Sequence, residues 1–356
     1  MRIEGLHHIT LVCAEAQRTI DFYARTLGLR MIKLTVNFDD PGSYHLYFGN
    51  DRAEPGSAIT FFVWPDAGRG RPGIGGTHHF ALTICDETGL LKWKRRLTDL
   101  GVHVDGPFNR KYSRSIYFRD PDGTIIEIAT RGPGLTLDEE LSALGTTVIS
   151  PTSYEQTRPS DEIWPEPVDL ISDDMRLNFG LHHISAMCTD LERTHDFYHG
   201  LLGMRRVKMA ANLDDPSVAH WFWGSEDGRP GTLISYFEYQ PERMRRARMG
   251  WGQTHHFALG VKDDATQDAF RERLVKAGFR ASPMIDRLYF HSVYSNDPDG
   301  HIVELATLGP GFDADEPLEE LGTSLRLPPR YEKYRTKIEA SLPPVELPSR
   351  ETASMR

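Results

Sequence analysis

The segment GLHHIT at 5–10 returns as GLHHIS at 180–185, and this repeat constrains the fold more than any other feature of the chain. DFYARTLGLR from Asp21 returns as DFYHGLLGMR from Asp196, and DDP at 39–41 returns at 214–216, each 175 residues later. THHFAL at 77–82, DPDG at 120–123 and GPG at 132–134 return 177 residues later. The two halves of the chain are copies of one another. Each half is itself double, because the HH pair that opens it is followed by a second one inside a similar run. Four units result. Each opens with a β-like run such as HHITLVCA or HHFALTI. A stretch with apolar residues at intervals of three and four follows and ends at Gly, and two or three further β-like runs close the unit. In the second and fourth units Asp-Pro-Asp-Gly joins the last two runs, a hairpin signal. The predicted unit is βαβββ and the predicted class α+β.

The modules are placed at 3–66 and 74–135 in an N-terminal half (3–135), and at 178–241 and 250–312 in a C-terminal half (178–312). The stretch 136–177, with Pro151, Pro159, Pro165 and Pro167, reads as a linker. Residues 313–356 read as a C-terminal extension that wraps the surface or extends, frayed at its last residues. A formal charge of −10 points away from nucleic acid and from anionic membrane surfaces. Cys13, Cys85 and Cys188 form no CxxC pair, so the expectation is a reducing cytoplasm and no disulfide framework. No run approaches the roughly 20 apolar residues that span a bilayer, and the N-terminus does not read as a signal peptide. A homo-oligomer is left open.

Eight of the 15 histidines fall in four HH pairs, at 7–8, 78–79, 182–183 and 255–256. Alternation along a strand predicts one imidazole of each pair turned into a cleft and the other turned away. Glu127 and Glu304 each stand alone in an apolar last strand, 48 residues after His79 and His256. A buried lone carboxylate is costly unless a cation compensates it. Two neutral imidazoles and one carboxylate form the facial set that suits non-haem Fe(II) and leaves positions open. A single histidine is more often a packed or solvated residue; four pairs at matched strand starts are not explained that way. Which pairs share a cleft is not decided by the residues. His45, His103, His195, His199, His220, His291 and His301 receive no ligand role, although His45 and His220 are repeat-equivalent and could face a pocket. Arg110 with Tyr117, and Arg287 with Tyr294, are matched pairs seven residues apart. An Arg and a Tyr near a metal can hold an anionic oxygen and give it a proton. For both to face one cavity a turn or bulge is needed, expected near 290–292 and near 111–113.

The four βαβββ units with their HH pairs and late glutamates resemble the vicinal oxygen chelate superfamily. LHHITLV, NFDDPGSYHLYFG, DR-x-YF-x-S-x-Y, ELATLGPGF and the tail LGTSLRLPPRYEKYRTKIEASLPP resemble its ring-cleaving dioxygenases of hydroquinones and chlorinated hydroquinones. The resemblance implies two curled mixed sheets of the glyoxalase/extradiol dioxygenase kind around metal clefts. It implies an Fe(II) site, Mn(II) being the alternative ion, built across modules one and four from His8, His256 and Glu304. Thr10, His255, Arg287 and Tyr294 stand beside it. In that family the site from modules two and three has usually lost its ligands. This sequence departs, since His79, His183 and Glu127 are present, with His78, Arg110 and Tyr117 beside them. Pairing of chain neighbours would instead group His8, His79 and Glu127, then His183, His256 and Glu304. The implied reaction inserts both atoms of O2 into a small hydroquinone- or catechol-type aromatic, with His255 or His78 as acid/base. The alternatives are a glyoxalase-type lyase or isomerase, an epoxide-opening enzyme, and a metal-free aromatic-binding protein. The lyase needs a fourth protein ligand, where Thr60 and Ser235 stand mid-strand and Glu238 near a strand end. The binding protein would line its cleft with Trp64, Trp221, Trp223 and Tyr236.

Overall fold

The computed structural model describes residues 1–149 and 159–348. Module one comprises β1 (Gly5–Cys13), α1 (Ala16–Ile20), β2 (Arg30–Val36), β3 (Tyr44–Gly49) and β4 (Ala58–Val63). Module two comprises β5 (Thr77–Ile84), α2 (Glu87–Asp99), β6 (Val104–Asn109), β7 (Arg114–Arg119) and β8 (Ile125–Thr130), and β9 (Val148–Ile149) follows it. Module three comprises β10 (Leu181–Cys188), α3 (Leu191–His195), β11 (Arg205–Ala211), β12 (Ala219–Gly224) and β13 (Leu233–Glu238). Module four comprises β14 (Gln253–Val261), α4 (Asp264–Lys276), β15 (Ile285–Asp286), β16 (Phe290–Asn296) and β17 (Ile302–Pro310), and α5 (Arg335–Ser341) lies beyond it.

The helices begin and end where side-chain chemistry allows. Asp86 and Asp263 cap α2 and α4 by accepting the Gly89 and Thr266 N–H groups. Gly101 and Gly278 follow with φ of +79° and +89°, the left-handed step that stops a helix. α1 and α3 widen into π-type turns over 21–26 and 196–201, which spacing at three and four does not foretell.

One sheet runs β15-β16-β17-β14-β1-β4-β3-β2, the other β6-β7-β8-β5-β10-β13-β12-β11-β9. The modules cross: β1 pairs antiparallel with β14, and β5 with β10. Each curled mixed sheet therefore takes one module from each half of the sequence. An apolar cluster with residues from all four modules, among them Ile9, Phe80, Ile184 and Phe257, joins the sheets. The loops at 68–76 and 245–251 pair backbone to backbone and bring Arg69, Arg71, Arg246 and Arg248 to the surface, a basic patch that the net charge conceals. Among the described residues no helix is long and apolar enough to cross a membrane.

The Asp-Pro-Asp-Gly turns do more than close hairpins. Asp120 and Asp297 shape them by accepting the backbone N–H groups of Asp122 and Thr124, and of Asp299 and His301. The second aspartate reaches the other sheet, Asp122 accepting from the Ala14 N–H and Asp299 from the Thr189 N–H. Burial pushes the Asp120 and Asp297 carboxyls up to about 6, against the pull of the groups that bind them. An unfolded Asp titrates near about 3.9, so the fold holds these protons more tightly than the unfolded chain does. That contribution to stability is complete below about pH 4 and is lost as pH rises through about 6. Chemical denaturation of Asp120→Asn should therefore show a flatter pH dependence than the parent across this interval. An identical slope would mean that Asp120 does not titrate there.

The stretches read as linker and extension act as straps. Lys208, fully buried, binds Asp138 (2.7 Å) and Glu139 after β8, and β9 pairs with β11. Lys33 repeats this with Asp315 (2.6 Å) and Glu316 after β17, where Leu325 bridges to Leu34. A fully buried ammonium persists only with such partners. The tail then wraps module one. Ile338 and Leu342 are buried in the core, and the Tyr331 hydroxyl donates to the Phe38 carbonyl (2.9 Å). The expected frayed end and Pro151 lie outside the described residues.

Candidate metal centres

A β-bulge lies at each HH pair. Between β1 and β14 the register slips so that His7 has no partner between Leu6↔Leu259 and His8↔Ala258. His255 likewise falls between Leu11↔Thr254 and Thr10↔His256. The pairing of β10 with β5 slips in the same way at His182 and His78. A bulge adds one residue to a strand, bends it and re-aims its side chains. Strict alternation, which would send one imidazole of each pair away, is thereby broken. The two rings meet instead, Nδ1 to Nδ1, at 2.9 Å in His7–His8 and His182–His183 and 2.8 Å in His78–His79 and His255–His256. The second histidine of each pair turns its Nε2 into the cleft.

These nitrogens converge on a carboxylate. His8 Nε2, His256 Nε2 and Glu304 Oε2 form a triangle with edges of 3.3, 2.9 and 3.2 Å. His79 Nε2, His183 Nε2 and Glu127 Oε2 form another with edges of 3.2, 3.2 and 3.0 Å. The grouping of His8 with His79 and Glu127 does not occur, because β1 lies against β14 rather than β5. Neither Oε2 makes a hydrogen bond of good geometry. Ligands about 2.1 Å from one ion lie about 3.0 Å apart at right angles and about 3.4 Å apart in a tetrahedron. Both triangles fit a divalent cation held on one face, with the opposite positions open. Burial works to raise the two glutamates, but the imidazoles beside them outweigh it and hold both carboxylates well below their usual range. Burial also lowers His79 and His256, leaving neutral rings with lone pairs to offer.

Around each triangle the predicted companions divide. Tyr294 is the cross-strand partner of Glu304 and meets His256 edge to face at 5.5 Å, and Tyr117 meets His79 at 5.7 Å. Arg287 lies 5.5 Å over the Tyr294 ring and pairs with Asp39 (3.1 Å), while Arg110 lies 5.2 Å over Tyr117 and pairs with Asp214 (2.8 Å). The turn that brings Arg287 to Tyr294 is centred on Leu288 (φ +71°), earlier than the expected 290–292, and a register slip between Phe290 and Ser292 follows it. The cause is local, since Asp286 accepts the Leu288 N–H and sets the turn two residues on. Asn109 does the same for Lys111 (φ +68°), inside the expected 111–113.

Thr10 is fully buried, and its hydroxyl bonds Thr60 (2.8 Å), which also bonds His45 (2.9 Å). Ser185, Ser235 and His220 repeat the chain at 2.8 and 2.9 Å. Thr60 and Ser235 are thus engaged as links, and Glu238 accepts the Leu191 N–H at the start of α3 rather than entering the cleft. Trp223 and Tyr236 belong to the core and Trp221 stacks with Arg206, so of the four aromatics named for a binding cleft only Trp64 touches the site, at His255. Sequence reasoning gave no role to His7, His182, Asp39 or Asp214. Their signal was recurrence at the common 175-residue offset. The second triangle opens on a cavity of about 860 Å³.

The family profile described as Glyoxalase/Bleomycin resistance protein/Dioxygenase superfamily matches residues 5–128 and 180–305. The chain is 31% identical over 345 residues to "Putative ring-cleaving dioxygenase MhqO" of Bacillus subtilis, spanning 96% of this chain and 97% of that one. It is 27% identical over 341 residues to the chlorohydroquinone/hydroquinone 1,2-dioxygenase of Sphingobium indicum, spanning 95% of each. A crystal structure named "putative dioxygenase from Bacillus subtilis" matches with a TM-score of 0.77 at 30% identity, over 98% of this chain and 99% of that one. Glyoxalase I of maize shares the fold alone, with a TM-score of 0.57 at 17% identity over 90% and 95%.

Proposed function

This chain belongs to the Glyoxalase/Bleomycin resistance protein/Dioxygenase superfamily, and from that premise we propose that it is a ring-cleaving dioxygenase. In this reading it opens a hydroquinone- or catechol-type aromatic by inserting both atoms of O2, with Fe(II) held by His8, His256 and Glu304 and by His79, His183 and Glu127. The observation that carries the reading is the pair of three-member ligand sets. Thr60 and Ser235, where a lyase would place a fourth ligand, are occupied with neighbouring hydroxyls. A three-member set would leave a bound cation able to take substrate oxygen and dioxygen. Relatives that match 95–96% of the chain, named as a putative ring-cleaving dioxygenase and as a chlorohydroquinone/hydroquinone 1,2-dioxygenase, support it.

When bound, Fe(II) would acidify a ring hydroxyl and supply redox contact with dioxygen. The remaining work falls to this chain's side chains. A His256 that uses Nε2 as ligand carries its proton on Nδ1 and donates it to His255 Nδ1. His255 then bears its own proton on Nε2, where it would donate a hydrogen bond, and burial beside His256, which lowers it to about 3, keeps the ring neutral. His78 stands in the same relation to His79. Burial opposes the Arg287 charge, yet Tyr294 and Asp39 outweigh it, so the guanidinium stays positive and receives a phenolate. Arg110 is kept charged in the same way by Tyr117 and Asp214. Burial raises Tyr294 and Tyr117, which remain phenols able to donate a proton. Thr10 acts at one remove, positioning His45 through Thr60.

The test is anaerobic purification with iron quantitation, then oxygen uptake on hydroquinones and catechols. Iron in the protein and one O2 consumed per ring opened is the expected result. A protein that holds only zinc, and in which iron restores no oxygen uptake, would overturn the reading.

A further inference from the structure

An ion pair joins the two modules of each cleft, and its acid end belongs to neither ligand set. Arg110 stands between β6 and β7 of module two and Asp214 between β11 and β12 of module three, and their side chains meet at 2.8 Å. Both line the cavity of about 860 Å³. Arg287 of module four and Asp39 of module one repeat the pair at 3.1 Å. Each partner rides on a turn shaped by a side chain. Asn212 and Asn37 accept the Asp214 and Asp39 N–H groups at 3.0 and 2.9 Å, as Asn109 and Asp286 accept those of Lys111 and Leu288 beside the arginines. The partners differ in burial. The aspartate side chains are 55% and 72% exposed, the arginines 17% and 18%. A half-exposed ion pair adds little to stability, so the guanidinium has more to gain from it than the fold does. Among the described residues the carboxylate accepts the one side-chain hydrogen bond of good geometry that each guanidinium donates, and the Arg110 Nε is buried without a partner. The other neighbours are rings, Phe108 at 4.4 Å and Tyr117 at 5.2 Å for Arg110, and Tyr294 at 5.5 Å for Arg287. A ring face attracts a cation without setting the direction of its N–H bonds.

We propose that Asp214 and Asp39 are positioning residues, each holding the guanidinium of Arg110 or Arg287 in the orientation in which it receives the substrate oxygen. The proposal rests on the ring-cleaving reading above and adds to it a pair of residues that act through others. Two effects of the carboxylate oppose one another. Its charge weakens the pull of the guanidinium on an anion. Its hydrogen bond orders a long, flexible side chain before substrate arrives, which spares binding that ordering. The contact is made through one nitrogen rather than through a two-pronged pair, so most of the guanidinium fork is left to other acceptors and orientation outweighs competition. The matched arrangement in both clefts fits this role, because both arginines present the same need.

Oxygen uptake and anaerobic calorimetric titration with hydroquinone, and with catechol in parallel, test this on the iron-loaded full-length chain. Glu304→Ala serves as parent, so that the cleft of modules two and three is read alone. Asp214→Asn should raise KM and the calorimetric Kd about fivefold, the upper range for a half-exposed ion pair, with kcat changed less than about twofold and metal content unchanged. Asp214→Glu keeps the carboxylate and should restore most of the loss. In an Arg110→Met chain Asp214→Asn should have no further effect, the non-additivity of a residue that acts through another. Asp39→Asn with Arg287→Met, on a Glu127→Ala parent, is the same cycle in the twin cleft and takes its place should Asp214→Asn fail to fold; activity in one parent alone restricts the cycle to that cleft. An Asp214→Asn loss that adds in full to that of Arg110→Met would make the aspartate a prop of its own loop. Unchanged binding would make it idle, and tighter binding a competitor of substrate. Each of these overturns the proposal and leaves the dioxygenase reading standing. If the chain neither binds nor oxidises either ring, that reading fails and the proposal with it.

Discussion

Glu304→Ala should cost the chain one of two metal ions, Glu127→Ala the other, and the double variant should bind none. The argument rests on what each carboxylate leaves behind. Glu304 is fully buried, and its Oε2 is aimed at the His8 and His256 imidazoles with no hydrogen bond of good geometry of its own. Without it, two nitrogens 3.3 Å apart remain in a cleft where no fourth ligand among the described residues can substitute. A metal that binds only the folded state stabilises it by mass action, about 4 kcal/mol at a thousandfold excess over Kd. Each single variant should therefore lose part of the rise in thermal midpoint that anaerobic Fe(II) or Mn(II) produces, and the double variant all of it. The two clefts need not contribute equally. Ser292 donates to Glu304 Oε1 (2.5 Å) and fixes that carboxylate, whereas its counterpart Ser115 bonds nothing near Glu127. Such outer partners raise metal affinity, so the Glu304 cleft should hold its ion more tightly. Metal quantitation gives the direct check. A Glu127→Ala protein that keeps two metals and full turnover would make Glu127 a structural relic.

Much of this architecture could be read from the sequence because the chain repeats itself. Matched HH pairs, late glutamates and Arg–Tyr pairs stood out by recurring at fixed offsets, and the hairpin turns and helix stops carried ordinary local signals. The crossing of modules could not be read that way. β1 could pair with β5 or with β14, two strands that both read THHFAL, and only the assembled sheets distinguish them. The bulges were also invisible, since a slip in register belongs to two strands at once. Alternation therefore misplaced the first histidine of every pair, which lies against its neighbour rather than away from it. The second aspartate of each Asp-Pro-Asp-Gly turn was legible as part of a turn, while its bond to the other sheet depended on which module lay opposite. His45 and His220 showed their kinship but not their difference. That difference lies two residues further along the same strands, in Tyr47, whose hydroxyl bonds His45 Nδ1, and Phe222, which has none, although the pair on its own looks like an interchangeable aromatic.

Replacing Tyr294 and Tyr117 together by Phe should lower turnover about ten- to a hundredfold, since a hydrogen bond to a charged oxygen is worth roughly 1.5–3 kcal/mol. Both hydroxyls are in play because each cleft has its own copy, so either single variant should leave the activity of the untouched cleft. The ring itself is retained. Phe in place of Tyr294 keeps the edge-to-face contact with His256 and the strand pairing with Glu304, and metal content should therefore stay unchanged. That constancy separates the expected loss from the loss of a ligand. Arg287 supplies a second discrimination. Its guanidinium is held over the Tyr294 ring and tied to Asp39, so Arg287→Met removes the charge proposed to receive the phenolate while the tyrosine stays in place. Substrate affinity should suffer more in that variant and turnover more in the tyrosine variant, a split that a purely structural role for either residue would not produce. If the double tyrosine variant turns over every ring substrate at the parental rate with its metal intact, Tyr294 and Tyr117 serve only to pack the walls of the clefts.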